Sequence, residues 1–408
     1  MTEVATRAGA VPVPPAVEGD FYDLAALLDE EDRLLLKRVR AFMEEHVAPI
    51  INVYWGKAEF PFEVLGAMAE LGIAGLAYSG PGCPGRTFLA DGFVAMELAR
   101  IDASMATFMG VHGGLAMGSI HLCGSEEQKA QWLPPMARME KIGAFGLTEP
   151  DVGSGAAGGL TTTARRLPGS GGGDSWVLHG VKKWIGNATF ADVTVIWARD
   201  VDDGNVKGFL VEKDTPGFTT EKMEHKIALR AVQNAIITLD GVRVPESMRL
   251  QRASSFRDTA NVLRMTRASV AWQAVGCGRG AYEHALRYST KREQFGRAIG
   301  GFQLVQDQLV RMLGNVTASL CMVTRLSQLQ DAGTMTDEQA SLAKAFCTVK
   351  ARETVGLARE LLGGNGILLE HDVGRFVADA EAIYSYEGTR EINTLIVGRA
   401  ITGLSAFV

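Results

Sequence analysis

Cysteine is scarce in this sequence and never paired: Cys83, Cys123, Cys277, Cys321 and Cys347 are scattered over 408 residues without a CxxC motif. An odd, dispersed set excludes a disulfide framework or a structural zinc site and predicts a reducing compartment. Long hydrophobic runs are missing too, since none approaches the ~20 residues of a membrane span. Neither sign of charge dominates: the net charge of −6 gives no reason to expect nucleic acid or an anionic membrane as partner. HExxH, GxSxG and Walker A patterns are absent, as are internal repeats, and no metal is expected. The Ala/Pro-rich start carries Glu3 early and lacks the apolar core of a secretory signal. A disordered arm over residues 1–20 is expected. The end, Ala406-Phe407-Val408, is not a Ser-Lys-Leu peroxisomal address, and a cytoplasmic protein is the expectation.

What is present is a globular balance, 47% hydrophobic and 22% charged, in a chain long enough for two or three domains. Residues 21–144 read as helices. Leu34, Leu35, Val39, Phe42 and Met43 recur at helical spacing, as do Phe62, Leu65, Met68 and Leu71; Val94 to Leu98 and Leu115 to Leu122 predict two more helices. Ser125-Glu126-Glu127-Gln128 is a capping box for another, expected to end at Pro134-Pro135. His112 and His121 lack ligand-spaced neighbours and are expected to be interior histidines. Over residues 145–255, Trp176–Gly180, Val193–Trp197, Gly208–Val211 and Ala235–Leu239 are short strand-like runs. Turns are expected at Gly169 to Asp174, Asp202 to Asn205 and Asp240-Gly241, giving a small antiparallel β domain. Residues 256–408 are helical again, with long segments from Phe256 to Ser289, Phe302 to Ala332 and Asp337 to Leu362. Leu342, Phe346 and Val349 share one face of the third. Brief connections between long helices suggest a bundle.

The chemistry concentrates in Ala382-Ile-Tyr-Ser-Tyr-Glu-Gly-Thr-Arg-Glu391. Glu387 lies between an aromatic run and a glycine, and Thr389 is a plausible N-cap for the helix that follows. Shielded from water by Tyr384 and Tyr386, a carboxylate there has its pKa raised toward the range of a general base. A surface glutamate in a strand-to-helix turn is the alternative. Phe145-Gly-Leu-Thr-Glu-Pro-Asp-Val-Gly-Ser154 is a Gly-rich connector to the first strand, with backbone N–H groups and hydroxyls suited to a flat cofactor or a phosphate. Lys183-Trp-Ile-Gly-Asn187 offers an indole for stacking, or a buried strand tryptophan. Arg292-Glu-Gln-Phe-Gly296 ends a helix, where Arg292 could pair with a pyrophosphate or simply be exposed. Gly276-Cys-Gly-Arg-Gly280 has dinucleotide-loop glycines but lies within a helical pattern, which predicts close helix packing.

Taken in order and at these separations, the motifs resemble the acyl-CoA dehydrogenase and oxidase family from about Leu24 onward. The stretches Ala58–Phe62, Cys123–Glu126, Trp184–Asn187, Val270–Trp272 and Leu361–Leu368 are most similar to plant short-chain acyl-CoA oxidases and glutaryl-CoA dehydrogenases. The resemblance implies an α+β fold: N-terminal helical domain, middle antiparallel β domain, C-terminal four-helix bundle. It implies FAD, an acyl-CoA substrate and a homotetramer. Phe145, Leu147, Thr148, Ser154, Trp184, Ile185, Thr389 and Glu391 match flavin-binding positions. Arg292, Phe295, Gln303, Glu360 and Gly364 match positions that reach the adenosine diphosphate half from an adjacent subunit. Arg267 matches an arginine near the catalytic carboxylate, Ser154 and Ala106 match substrate-side positions, and Glu387 matches the α-proton base.

Three departures stand out. Gly186 replaces a frequent threonine, Gly155 replaces the acidic residue after Ser154, and Ala106 stands where glutaryl-CoA dehydrogenases carry an arginine for the distal carboxylate. The expected activity is α,β-dehydrogenation of a short-chain acyl-CoA, with electrons passed to an electron-transfer flavoprotein. The alternatives are an oxidase that reduces oxygen to peroxide, and a catalytically silent binding protein of the same fold. Phe108 and Met109, both bulky, flank the substrate-side helix face, and either could shorten the acyl cavity.

Overall fold

The computed structural model describes residues 19–169 and 173–406. The expected arm therefore lies outside the described residues except for Gly19 and Asp20, as does the Phe407-Val408 end. Asp20 is already anchored: its carboxylate accepts the backbone N–H groups of Leu24 (2.8 Å) and Ala25 (2.9 Å). Residues 170–172 of the expected Gly169–Asp174 turn are likewise outside the described residues.

The N-terminal part holds α1 Glu30–Phe42, α2 Ile51–Lys57, α3 Leu65–Glu70, α4 Phe88–Ile101, α5 Ala103–Met109, α6 Met117–Cys123 and α7 Glu126–Ala137. Helix α4 is apolar nearly all round and correspondingly buried nearly all round. Its N-terminus is closed by Thr87 Oγ1, which accepts from Ala90 N–H at 3.1 Å, and by Asp331, whose carboxylate accepts from Phe88 N–H at 2.6 Å. A π-helical segment, Gly110–Ala116, carries α5 into α6. The Ser125/Gln128 capping box closes both ways, at 2.9 and 3.2 Å. Helix α7 does not stop at Pro134-Pro135 as expected. The prolines lack N–H donors, but Pro134's carbonyl still accepts from Arg138 N–H (3.3 Å), so the helix runs to Ala137. His112 is an interior histidine as expected. Its Nδ1 accepts Gly143 N–H at 3.0 Å, so its Nε2–H donates to the Met136 carbonyl at 3.0 Å, and burial pushes its pKa down to about 4.

The middle part contains β1 Gly143–Gly146, a short α8 Ala156–Gly159, β2 Thr163–Leu167, β3 Ser175–Gly186, β4 Val193–Asp200, β5 Val206–Glu212, β6 Phe218–Lys222 and β7 Asn234–Pro245. The sheet order is β1-β4-β2-β3-β7-β6, with β5 on β4. Most pairings are antiparallel, but β1 and β2 each run parallel to β4, so the sheet is mixed rather than purely antiparallel. Phe145 and Gly146 belong to β1, so the stretch expected to be all connector begins as a strand. Strands β2 and β6 each bury a single residue, Ala164 and Phe218, and show no alternation to read in advance. Asp240-Gly241 is not a turn between strands. It sits inside β7 at a bulge, where the register jumps from Leu178↔Val242 to Gly180↔Leu239 and Gly241 takes φ +66°.

The C-terminal part is a bundle of α9 Phe256–Lys291, α10 Gln303–Asp331, α11 Asp337–Leu361, α12 Val373–Ser385 and α13 Arg390–Thr402. The Gly276–Gly280 run packs against α4, as expected. A Cβ at Gly276 would lie 2.2 Å from Met96 O, and one at Gly280 2.1 Å from Arg100 O. Leu342 and Val349 share a face of α11, but it is the outward one, 49% and 40% exposed. The inward face is built from Ala340, Ala343, Cys347 and Ala351, small enough for α9 and α11 to pack closely.

Candidate active site

Glu387 stands between two helices, not between a strand and a helix: the aromatic run before it is the last turn of α12. Thr389 caps α13, its hydroxyl accepting Ile392 N–H at 3.3 Å. Glu387 has φ +55° and Gly388 +80°. A left-handed glutamate is strained, and it persists only where its surroundings hold it. Here Lys344 Nζ donates to the carbonyls of Tyr384 (2.7 Å) and Gly388 (2.8 Å), and Asn393 Nδ2 donates to those of Gly388 (2.8 Å) and Thr389 (3.0 Å).

The carboxylate itself accepts a hydrogen bond from Thr266 Oγ1 at 3.2 Å. Burial raises its pKa; the Arg267 charge, the Thr266 bond and the Lys344 charge oppose the rise without cancelling it. Of the two tyrosines, only Tyr386 turns inward. Its hydroxyl donates to Gln273 Oε1 at 2.7 Å, whereas Tyr384 lies under the Arg352 guanidinium, 4.4 Å from its ring centre.

Thr266 also lines a cavity that runs between α9, α4 and the π-helical segment, past Gly114, Gly110, Met109, Ala106 and Gln273. Met109, not Phe108, faces it. Phe108 is fully buried against Phe60, with ring centres 5.0 Å apart.

The end of β3 lies against the π-helical segment. Trp184 is 55% exposed with φ +67°, so it is not a buried strand tryptophan, while Ile185 is buried. A Cβ at Gly186 would come 3.1 Å from Val111 Cγ2, because the π-helical segment lies close against it. Asn187 Nδ2 ties this end to the carbonyls of Phe108 (3.2 Å) and Gly143 (3.4 Å). Phe145 and Leu147 are buried, Thr148 is half-buried and Ser154 is exposed. The intervening Glu149 is buried and pairs with Lys182 Nζ at 2.9 Å, and Lys182 also donates to Leu147 O at 3.0 Å. This pair clamps the strand-to-loop passage.

Arg292 ends α9, Phe295 is 93% exposed, Gln303 opens α10, and Glu360 and Gly364 lie at the end of α11. All five are on the surface, in a group of their own. Glu360 is about 24 Å of helix from Lys344, and Arg292 about 38 Å from Arg267. One chain therefore does not bring them to the Glu387 turn. Thr389 and Glu391 do flank that turn, with Glu391 exposed beside Arg390.

The chain matches the acyl-CoA dehydrogenase N-terminal domain over residues 29–140, the middle domain over 144–242 and the C-terminal domain over 256–402. It belongs to the acyl-CoA dehydrogenase family. The human mitochondrial short-chain specific acyl-CoA dehydrogenase is 33% identical over 377 residues, covering 91% of this chain and 90% of that protein. A crystal structure of glutaryl-CoA dehydrogenase from Mycobacterium smegmatis has a TM-score of 0.90 at 40% identity, covering 96% of this chain and 99% of the other. A glutaryl-CoA dehydrogenase from the same organism, in complex with FADH2, gives 0.91 at 36% identity, covering 96% and 100%.

Within this family frame, the sequence reading missed Lys344, Thr266, Gln273, Glu149 and Lys182. Glu149 stood inside the Phe145–Ser154 motif and Lys182 beside Lys183-Trp184, yet pairing across 33 positions leaves no local signal. Thr266 next to Arg267 was the one clue at close range.

Proposed function

We propose that the protein dehydrogenates a short-chain acyl-CoA to the trans-2-enoyl-CoA, with FAD as cofactor and Glu387 as the α-proton base. Glu387 itself carries the reading: a strained, shielded carboxylate of raised pKa, hydrogen-bonded by a threonine that also lines a cavity. A thioester α-proton is too weakly acidic for a carboxylate in water, so its base must be shielded and fixed. Glu387 takes that proton, and its backbone N–H is the donor suited to the thioester carbonyl, where charge develops.

The residues present fit a flat, anionic cofactor. Arg267 Nε is buried without a partner, and the Trp184 indole stands open with Lys183 Nζ 5.9 Å from its ring. Phe145, Leu147, Thr148, Ser154, Trp184, Ile185, Thr389 and Glu391 would hold the flavin half. FAD, when bound, supplies the acceptor for the β-hydride.

Arg292, Phe295, Gln303, Glu360 and Gly364 would serve the adenosine diphosphate half of a neighbouring subunit's cofactor, in a homotetramer. Their distance from the Glu387 turn supports this, and so does the outward apolar face of α11. The electron acceptor is an electron-transfer flavoprotein. Among the described residues no arginine or lysine lines the cavity, which disfavours the carboxylate of a glutaryl chain.

The test is anaerobic flavin bleaching by a panel of acyl-CoAs, then reoxidation. Bleaching by butyryl- or hexanoyl-CoA and fast reoxidation by an electron-transfer flavoprotein are expected. No bleaching by any acyl-CoA would sink the reading. Stoichiometric peroxide at the turnover rate would make the protein an oxidase.

A further inference from the structure

We infer that the far end of the acyl cavity selects a chain ending in a hydrogen-bond donor, a hydroxyl or an ammonium, which the Asp91 carboxylate receives. The inference rests on the acyl-CoA reading above and adds the chemistry of the acyl tail. Asp91 stands in the first turns of α4 and lines the same cavity as Thr266, together with Tyr78, Ser269 and Gln330. The cavity wall thus carries both Thr266, which bonds the proposed base, and a second carboxylate.

That second carboxylate lacks a partner. Burial and the neighbouring Asp331 charge both act on it in one direction, lifting its pKa to about 6, and no donor or cation among the described residues opposes them. Three of the polar groups around it are engaged elsewhere. Tyr78 Oη donates to Gly114 O at 3.0 Å, Trp272 Nε1 donates to Ser327 Oγ at 2.9 Å, and Asp331 accepts the first N–H groups of α4. Asp91 is half-buried and its carboxylate accepts no side-chain or backbone hydrogen bond among the described residues, so on the cavity wall it is open to a donor that arrives with the ligand.

The tail chemistry follows. A plain methyl end offers Asp91 no donor. A carboxylate end, as in glutaryl, would meet a like charge with no arginine or lysine on the cavity wall. A hydroxyl donates one hydrogen bond to Asp91, and an ammonium adds the charge pairing.

The holoenzyme is compared with hexanoyl-, 6-hydroxyhexanoyl- and 6-aminohexanoyl-CoA, and with the corresponding octanoyl series. A donor-bearing chain should exceed its plain counterpart by about tenfold or more in kcat/KM at one of the two lengths. Asp91→Leu should reverse that preference. Asp91→Asn should keep the preference for a hydroxyl and lose that for an ammonium, which also decides the matter if Asp91→Leu does not fold. Plain chains equal or better at both lengths, or a donor preference unchanged in the variants, overturn the inference. If no thioester bleaches the flavin, the dehydrogenase reading fails instead. The same ligands are then compared by calorimetric binding, where the donor preference and its loss in the variants must still hold.

Discussion

Lys344 spans Glu387: its buried ammonium donates to the Tyr384 carbonyl three residues before it, at 2.7 Å, and to the Gly388 carbonyl just after it, at 2.8 Å. The lysine thereby closes the turn that forces Glu387 to φ +55°. Burial lowers its pKa to about 8, with Glu387 and Glu391 opposing the drop. Lys344→Met would leave two carbonyls without their charged donor, destabilising the fold by about 2–4 kcal/mol. As a positioning residue it should also cost at least ~10-fold in kcat. Removing a nearby cation raises a carboxylate's pKa, so the acid limb of the kcat/KM profile should move to higher pH. Thermal unfolding and a pH profile check this, and an unmoved acid limb in a slowed variant would reduce Lys344 to a structural role.

Glu387→Gln should leave a folded protein that still binds acyl-CoA. Flavin reduction should slow by ~10²–10⁴, the usual worth of a positioned base. The same shift has a stability consequence. A raised carboxylate pKa means the folded state holds its proton more tightly than the unfolded chain does. Stability at this site is therefore full below the unfolded pKa and falls as pH rises through the folded one. Gln removes that loss, so the variant's melting temperature should gain on the parent's as pH rises through the raised pKa of Glu387. Wild-type bleaching in the variant would remove Glu387 from the mechanism.

How much of this could be read from the chain alone depended on the range of each interaction. The long helices and the cap at Thr389 were legible because periodicity and capping are local. Glu387 was legible as a site only through its neighbours in sequence. The clamp from Lys344 was not, because it reaches across 40 and 44 positions and nothing near Lys344 marks it. Met109 and Phe108 were indistinguishable because adjacent helical residues point about 100° apart, and only the packing of Phe108 on Phe60 shows which one faces the cavity.

Glu149 and Lys182 make a buried pair whose removal should act at a distance from the reacting atoms. Burial would raise the Glu149 pKa, but Lys182 and the bonds from Thr161 and Thr162 hold it down to about 2. Its contribution to stability is thus present above the ordinary carboxylate range and lost as pH falls toward 2. Lys182→Met strands a buried carboxylate and should destabilise by about 3–5 kcal/mol, whereas a combined Glu149→Leu and Lys182→Met should be milder. Urea unfolding of the three variants tests this, and a harmless Lys182→Met would contradict it.

Arg292→Ala should lower FAD retention more than it lowers helix content. The guanidinium ends α9 on the bundle surface, away from its own Glu387, and is proposed to meet a neighbouring subunit's cofactor. Flavin loss and a smaller mass in solution should therefore appear together. Full flavin and unchanged mass would remove the residue from that role.

The acyl group is the remaining question, and Ala106 decides its charge. Ala106 is buried in α5 and lines the cavity next to Met109, with no arginine or lysine on the described wall. The glutaryl carboxylate would enter unpaired and meet Asp91 beyond it, and leaving a charge buried without a partner costs several kcal/mol. Met109 reaches into the same space and narrows it for long unbranched chains. Butyryl- or hexanoyl-CoA should therefore exceed both glutaryl- and palmitoyl-CoA. Each 1.4 kcal/mol is about a factor of ten, so the discrimination against glutaryl-CoA should exceed ~10² in kcat/KM. Ala106→Arg should narrow that gap by supplying the missing cation. Steady-state comparison of butyryl-, glutaryl- and palmitoyl-CoA on both proteins is the measurement. Glutaryl-CoA as the best substrate of the unmodified protein would sink the argument.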